Sequence, residues 1–489
     1  MLQYDVMKGK KLFILLSALD AEEFTLLGRA VRSPLMNTNQ RVVALYEYFQ
    51  SFYPLLEGPE LEGEVLFSCL FPDEAYNDYK LRRLISSLSQ LVEQFLVYLE
   101  AKREEQEAPL LLIRALGRRN LHNYFEKKSM EVLDTLDNSP YRDLDYYNRK
   151  VEVFTNYYFH PFTDKRAIEP GRLQELVNDM DYSYALKMYR LGNELRNRER
   201  IFSEQYQLTG IDALTVQYGD GILSENVVFR TYRSLFNAYQ DEENPVLFRE
   251  FKENFITHID EMGQDDRNLL FQQLLNYTIR RINQGDSSYY REALGLYRMG
   301  LKNELLIDGG RMSEATYSNI VMVSCEEGAY DWAKSFIEQY ENLLDDEAKE
   351  DTVAHCFSLW HYFQGQHDKA LQVLSGHRFS GPFLYSSRMT AIRIIFEQFL
   401  MDRTYYDLLL SQCKAFEKFL RRDTSLSRDR NELHKNTSAL IRKIATAIYR
   451  HEPVDEVKKW ALAEMNSGQA FVLRNWLQNK MLQLTALPT

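Results

Sequence analysis

The chain has 489 residues, only 21 of them Gly and 12 Pro, with 45% apolar, 13% aromatic and 27% charged side chains. An all-β fold needs a turn signal every 8 to 12 residues or so, and a disordered chain needs low hydrophobicity, so this composition excludes both and favours long helices. The net charge of −12 sets a repulsive average field against nucleic acid.

In chain order, Lys10-Lys11 followed by the apolar run Leu12 to Leu19 is the nearest approach to a secretory leader, but Asp20-Ala-Glu-Glu23 stands where a small-residue cleavage site belongs. No apolar run reaches the roughly 18 residues that cross a bilayer. The sequence therefore predicts a soluble cytoplasmic protein with no membrane partner. Asp20 and Glu23 have the spacing of a capping box, and Ser33-Pro34 predicts the start of the next helix. From 81 to 96, Leu81, Leu84, Ile85, Leu88, Leu91, Val92, Phe95 and Leu96 form an i, i+3, i+4, i+7 stripe, the mark of a helix buried on one face.

Charge-dense Ala101 to Pro109 predicts a boundary near residue 105, closing an N-terminal helical block over 1–105. Residues 106–285 read as divergent helical hairpins. Their breaks fall at Asn138-Ser-Pro140, His160-Pro161, Glu169-Pro-Gly171, Gly219-Asp-Gly221 and Asn244-Pro245. The aromatics inside these helices, Tyr146, Tyr147, Phe154, Tyr157 and Tyr158, read as inter-helix packing. Residues 286–489 carry a period: Ala293, Ala333, Ala370 and Leu408 recur at spacings of 40, 37 and 38. Repetition on this scale means stacked helix pairs, and the fold class expected is all-α, an α-solenoid.

Two of these units resemble tetratricopeptide repeats. In one, Tyr317 and Ile320 match the large apolar places of the first helix, Gly328 the turn, Tyr330 and Ala333 the start of the second helix, and Ile337 its next core place. In the other, Phe357, Ser358, Gly365, Ala370, Leu374 and Pro382 match. Val321, Ser324 and Tyr340 depart from the pattern, and the period exceeds the usual 34 or so residues. The resemblance implies tetratricopeptide-like repeats with C-terminal capping helices over 286–489. The N-terminal block, with Arg32-Ser-Pro-Leu-Met-Asn37 and Tyr79-Lys-Leu-Arg-Arg-Leu84, also looks like the start of uncharacterised helical-repeat proteins of Bacteroidetes-type bacteria.

The patterns that carry chemistry are weak. Cys69, Cys325, Cys356 and Cys413 are at least 31 residues apart with no C-x-x-C, which predicts reduced, mostly buried thiols. His355, His361 and His367 are spaced by six, about 240° around a helix, and cannot share a face. Gly219-Asp-Gly221 and Gly309-Gly310 complete no phosphate loop, and Ser375 to Gly381 lacks a nucleophile elbow. The acidic groups Asp179 with Asp181, Asp241 to Glu243 and Asp345 to Glu347 read as solvated loops or helix ends. The basic clusters Arg196 to Arg200 and Arg421 to Lys435, interrupted by acidic residues, read as ion-paired helix surfaces.

No catalytic, cofactor-binding or metal-ligating residues are expected. The function expected is a non-enzymatic interaction scaffold that binds a protein or peptide partner in a helical-repeat groove. By rotation from the repeat's inward face, that groove is assigned to Ser318, Met322, Cys325, Glu326, His355, Leu359 and Tyr362. The same face could instead be ordinary core beneath later helices. Two other classes stay open: a nucleic-acid-associated regulator using Lys80, Arg82 and Arg83, which the net charge disfavours, and an all-α enzyme without a recognisable motif. Partner identity and oligomeric state are left undefined.

Overall fold

The computed structural model describes residues 11–103, 107–201, 205–208, 210–211, 214, 225–241, 244–423, 428–467 and 469–484. Gly219 to Gly221, Glu242, Glu243 and the proposed boundary residue Glu105 lie outside them. Among the described residues the structure is helical, with no strand and a single isolated bridge between Asp308 and Arg311. None of the described helices is long and apolar enough to cross a membrane. The chain divides into two units, Met1–Pro140 with Leu144–Ser183, and Tyr141–Asp143 with Tyr184–Thr489.

The first unit holds α1 (Lys11–Ser17), α2 (Ala21–Arg32), α3 (Gln40–Gln50), α4 (Gly63–Leu70), α5 (Asp78–Arg103), α6 (Glu107–Arg118), α7 (His122–Asp137), α8 (Leu144–Tyr158) and the beginning of α9 (Pro170–Ile201). Seven of the eight stripe residues on α5 are buried and Leu96 partly so, in a core shared with α1 to α4. The leader-like run belongs to that core: Leu12, Phe13, Leu16 and Leu19 are all buried in it. The capping box forms, Glu23 N donating to Asp20 Oδ1 at 2.8 Å and Asp20 N to Glu23 Oε2 at 3.2 Å.

The helix start expected at Ser33-Pro34 is not there. Ser33 ends α2, and α3 begins at Gln40, capped by Asn39 Oδ1 accepting from Arg41 N at 3.0 Å. The competing signal is Asn37, whose side chain donates to Val31 O at 2.8 Å and accepts from Asn39 N at 2.9 Å, folding the link into a turn. Asp179 also departs from its expected solvated place. It is buried on α9 beside Lys150 Nζ at 3.4 Å; burial raises its pKa while Lys150 opposes the rise.

The second unit continues α9 and adds α10 (Val227–Gln240), α11 (Pro245–His258), α12 (Gln264–Asn283), α13 (Tyr289–Lys302), α14 (Glu314–Glu326), α15 (Tyr330–Tyr340), α16 (Asp346–Phe363), α17 (His367–Gly376), α18 (Phe383–Met401), α19 (Tyr406–Arg422), α20 (Arg428–Tyr449), α21 (Val454–Met465) and α22 (Arg474–Gln483). From α10 to α22 each helix packs on the next, and α14 also packs on α16, α16 on α18 and α18 on α20. Gly328 and Gly365 take φ of 71° and 73°, the left-handed conformation that lets the following amide reach back: Ala329 N to Ser324 O at 2.8 Å, Gln366 N to His361 O at 3.0 Å. Glu304 and His451 make the same turn without glycine.

Side chains fix the register of the pairs. Tyr317 Oη donates to Ile337 O at 2.6 Å, Trp360 Nε1 to Tyr330 O at 2.9 Å, and Tyr330 Oη to Phe363 O at 3.1 Å. Ala293, Ala333 and Ala370 are wholly buried, but Leu408 is 44% exposed. The fourth place belongs to Leu409. It stands three residues after the start of α19, as Ala333 and Ala370 stand three after the starts of α15 and α17, and it is wholly buried. The last helix returns to the earlier ones: Asn475 Nδ2 donates to Ile282 O and Asn283 O, the closing carbonyls of α12, at 3.0 and 2.9 Å.

Candidate functional site

The residues assigned to a groove divide into two groups. Cys325, His355, Leu359 and Tyr362 are buried; Ser318 and Met322 are half-buried and Glu326 is open to water. The cover is visible in the contacts. Cys356 Sγ on α16 lies 3.8 Å from Ser318 Oγ, so at Ser318 that face of α14 meets α16. Tyr362 Oη donates to Glu397 Oε1 at 2.5 Å on α18. His355 lies against Phe383 and Phe379, ring centroids 5.4 and 6.5 Å away, and neither of its nitrogens has a hydrogen-bond partner. Burial lowers its pKa to about 4.

Around Tyr362 a polar hub ties α16, α18 and α22 together. Glu397 also accepts from Trp476 Nε1 at 2.7 Å and pairs with Lys480 Nζ at 3.1 Å. Burial raises its pKa, but these partners outweigh burial and hold the carboxyl below its usual value. The Arg393 guanidinium sits 4.3 Å from the Tyr362 ring centre and 5.2 Å from that of Trp476. The Tyr362 hydroxyl and the Glu397 carboxylate are engaged within the hub, although Arg393 Nε has no hydrogen-bond partner, and the hub reads as a structural clasp.

The three histidines have separate surroundings, since His361 Nδ1 lies 2.9 Å from Gln366 Oε1 and His367 Nε2 lies 4.0 Å from Glu397 Oε2. In the loop 377–381, His377 Nε2 is 2.6 Å from Asp351 Oδ1, while Ser380 donates its amide at 2.8 Å and its hydroxyl at 2.6 Å to Asp351 Oδ2. The serine bonds the carboxylate and not the imidazole, so this is a pin for the loop rather than an activated nucleophile. Cys325, Cys356 and Cys413 are buried, and burial pushes each thiol up to about 12. Of the basic side chains considered for phosphate, Lys80 is paired with Glu74 at 2.5 Å and Arg82 with Asp78 at 2.7 Å.

Among the described residues an open concavity rich in polar side chains lies elsewhere, between α12 and α14. It is a cleft of about 750 Å³, walled by α12 and by the loop 305–311 that leads into α14, with Tyr297 of α13 and Asn197 of α9 also lining it. Carboxamides dominate it: Asn268, Gln272, Asn276 and Asn283 on α12, Asn319 on α14, and Asn197. The first three stand at i, i+4 and i+8, one face of a helix, with Leu275 and Ile279 beside them. Gln272, Asn276 and Asn319 make no side-chain hydrogen bond among the described residues. Asn197 is 94% buried and its Oδ1 has no partner. A second hollow of about 400 Å³, lined by Phe248, Tyr277 and Tyr289, is closed electrostatically by its own pairs, Lys252 with Glu292 at 2.6 Å and Arg281 with Asp286 at 3.3 Å.

This carboxamide stripe was present in the sequence as Asn268, Gln272 and Asn276, but alone it is indistinguishable from a solvated helix face. The opposite wall makes it a site. No protein-family profile matches the chain, and neither a curated protein nor a solved structure shows significant similarity to it.

Proposed function

We propose that the protein is an α-solenoid of tetratricopeptide-like helix pairs, and that it serves as a non-enzymatic scaffold taking an extended peptide segment of a partner protein into the cleft between α12 and α14. The observation that carries the reading is that three of these carboxamides, Gln272, Asn276 and Asn319, make no side-chain hydrogen bond among the described residues. A carboxamide offers the same donor and acceptor as a peptide group, so a row of them can pair with a backbone whatever its side chains. From Asn268 to Asn283 the row extends about 22 Å at roughly 1.5 Å per helical residue, the length of six or seven extended residues at about 3.3 Å each. Leu275 and Ile279 provide apolar floor between the polar groups, as recognition surfaces require.

The test is selection of displayed random heptapeptides on the full chain, with Asn276→Ala/Asn319→Ala as the counter-target. Selected peptides should bind the double variant at least tenfold more weakly, because two backbone-pairing groups are lost while both positions reach solvent. Failure to select any peptide, or peptides indifferent to the double variant, would refute the reading.

A further inference from the structure

We infer that the segment taken by this cleft is acidic, presenting an Asp or Glu side chain to Arg311. The inference rests on the peptide-binding reading above and adds the chemistry of the occupant. On a chain of net charge −12, the cleft is lined by Arg311 and Asp308 and by Arg280, whose guanidinium is engaged over Tyr239 and Tyr277. Arg311 is built into the wall: its Nη1 donates to Leu344 O at 2.8 Å, and its backbone exchanges hydrogen bonds with Asp308, N to O at 2.9 Å and O from N at 2.8 Å. That anchoring fixes the guanidinium plane while consuming one of its five N–H groups. Arg311 forms no ion pair among the described residues, whereas Lys252 and Arg281 of the neighbouring hollow are both neutralised within the chain.

A guanidinium that is held in place, reaches solvent and forms no ion pair among the described residues suits a carboxylate. Its planar fork matches the two oxygens, and little side-chain freedom is lost on pairing because the protein already holds it. The second pointer is Asn197 Oδ1, a buried acceptor without a donor, which fits the N–H that a peptide backbone supplies and a free carboxylate does not. Together they specify a backbone carrying an acid.

The heptapeptide selection decides the matter when its sequences are read by charge and one selected peptide is measured on full-length Arg311→Gln and Arg311→Lys at about 30 and about 300 mM salt. Enrichment of Asp and Glu is expected. At the lower salt the acidic peptide should bind Arg311→Gln about tenfold more weakly, with Arg311→Lys losing less, and the deficit should shrink at the higher salt. Unchanged melting temperatures would show that a lost Leu344 contact is not the cause. Neutral or basic peptides that still require Asn276 and Asn319 would overturn the acidic occupant while leaving the peptide-binding reading in place. An acidic peptide indifferent to Arg311→Gln would do the same. If no peptide is selected, or none depends on Asn276 and Asn319, the underlying reading fails and this one with it.

Discussion

His355→Leu should convert a buried, pH-sensitive position into a silent one. The imidazole is enclosed by Phe379 and Phe383, neither nitrogen has a partner, and burial lowers its pKa from 6.5 to about 4. The carboxylate one turn earlier, Asp351, is engaged by His377 and Ser380. The unfolded chain takes up a proton as pH falls through 6.5, whereas the native chain resists until about 4. The neutral ring's contribution to stability is thus present above 6.5 and lost as pH falls toward 4. The whole window is worth about 3 kcal/mol, of which about 2 kcal/mol is lost between pH 7.5 and 5.0. Leucine is close in volume and leaves no unpaired nitrogen, so the variant should be at least as stable at pH 7.5. Relative to wild type it should gain about 2 kcal/mol on going to pH 5.0. Opening free energies of α16 amides, from hydrogen exchange corrected for intrinsic rates at the two pH values, measure that difference. Ring-proton NMR should show one histidine that does not titrate until pH falls below 5, absent in the variant. An unchanged difference between variant and wild type at the two pH values, or a His355 resonance with a midpoint near 6.5, would refute the reasoning.

Asp266 should show the opposite slope. Burial raises its carboxyl to about 6, against the hydrogen bond from Tyr232 Oη, so wild type gains stability as pH falls from 7 to 5 and Asp266→Asn should lose about 1 kcal/mol relative to it over that interval, read by the same exchange measurement on α12. Ala333→Arg forces a long charged side chain into a wholly buried place and should cost several kcal/mol, whereas Glu327→Arg, beside the turn and paired loosely with Arg291 at 3.5 Å, should stay within about 1 kcal/mol of wild type. Equal shifts in melting temperature would sink that assignment of register. Met322→Glu should be tolerated and Leu359→Glu should unfold the surrounding helices, because Met322 is half-buried and Leu359 is 7% exposed. Circular dichroism melts of the two single variants compare them, and similar melting temperatures would contradict the packing of α16.

What could be read in advance depended on whether the determinant was local. The α5 stripe, the Asp20–Glu23 capping box and the turns at Gly328 and Gly365 are each set by residues within a few positions, and all are found where the pattern put them. The turns at Glu304 and His451 escaped notice because those residues bear the strain of a left-handed φ without the glycine that advertises it. Counting the period points to Leu408, but the helix itself starts at Tyr406, and a one-residue shift turns the side chain about 100° from core to solvent.

The groove residues illustrate the same limit in three dimensions. Rotation from Tyr317 and Ile320 names a neighbouring face of α14, yet a helical wheel carries no information on what stands opposite. Ser318 meets Cys356, 38 residues later, and Tyr362 meets Glu397, 35 residues later, so part of the face is covered by helices that follow in the chain. The carboxamide row on α12 has the converse history. Nothing in Asn268, Gln272 and Asn276 separates it from a solvated surface until the loop carrying Arg311 is laid across from it. Beside that loop stands Gly300, where an added Cβ would come within 2.4 Å of the Phe271 ring on α12 and 2.9 Å of Leu306, so α13 lies close against both. A larger residue at 300 would require the Phe271 ring and Leu306 of that loop to give way. A glycine that lines no part of the cleft thus packs directly against Leu306 of its wall.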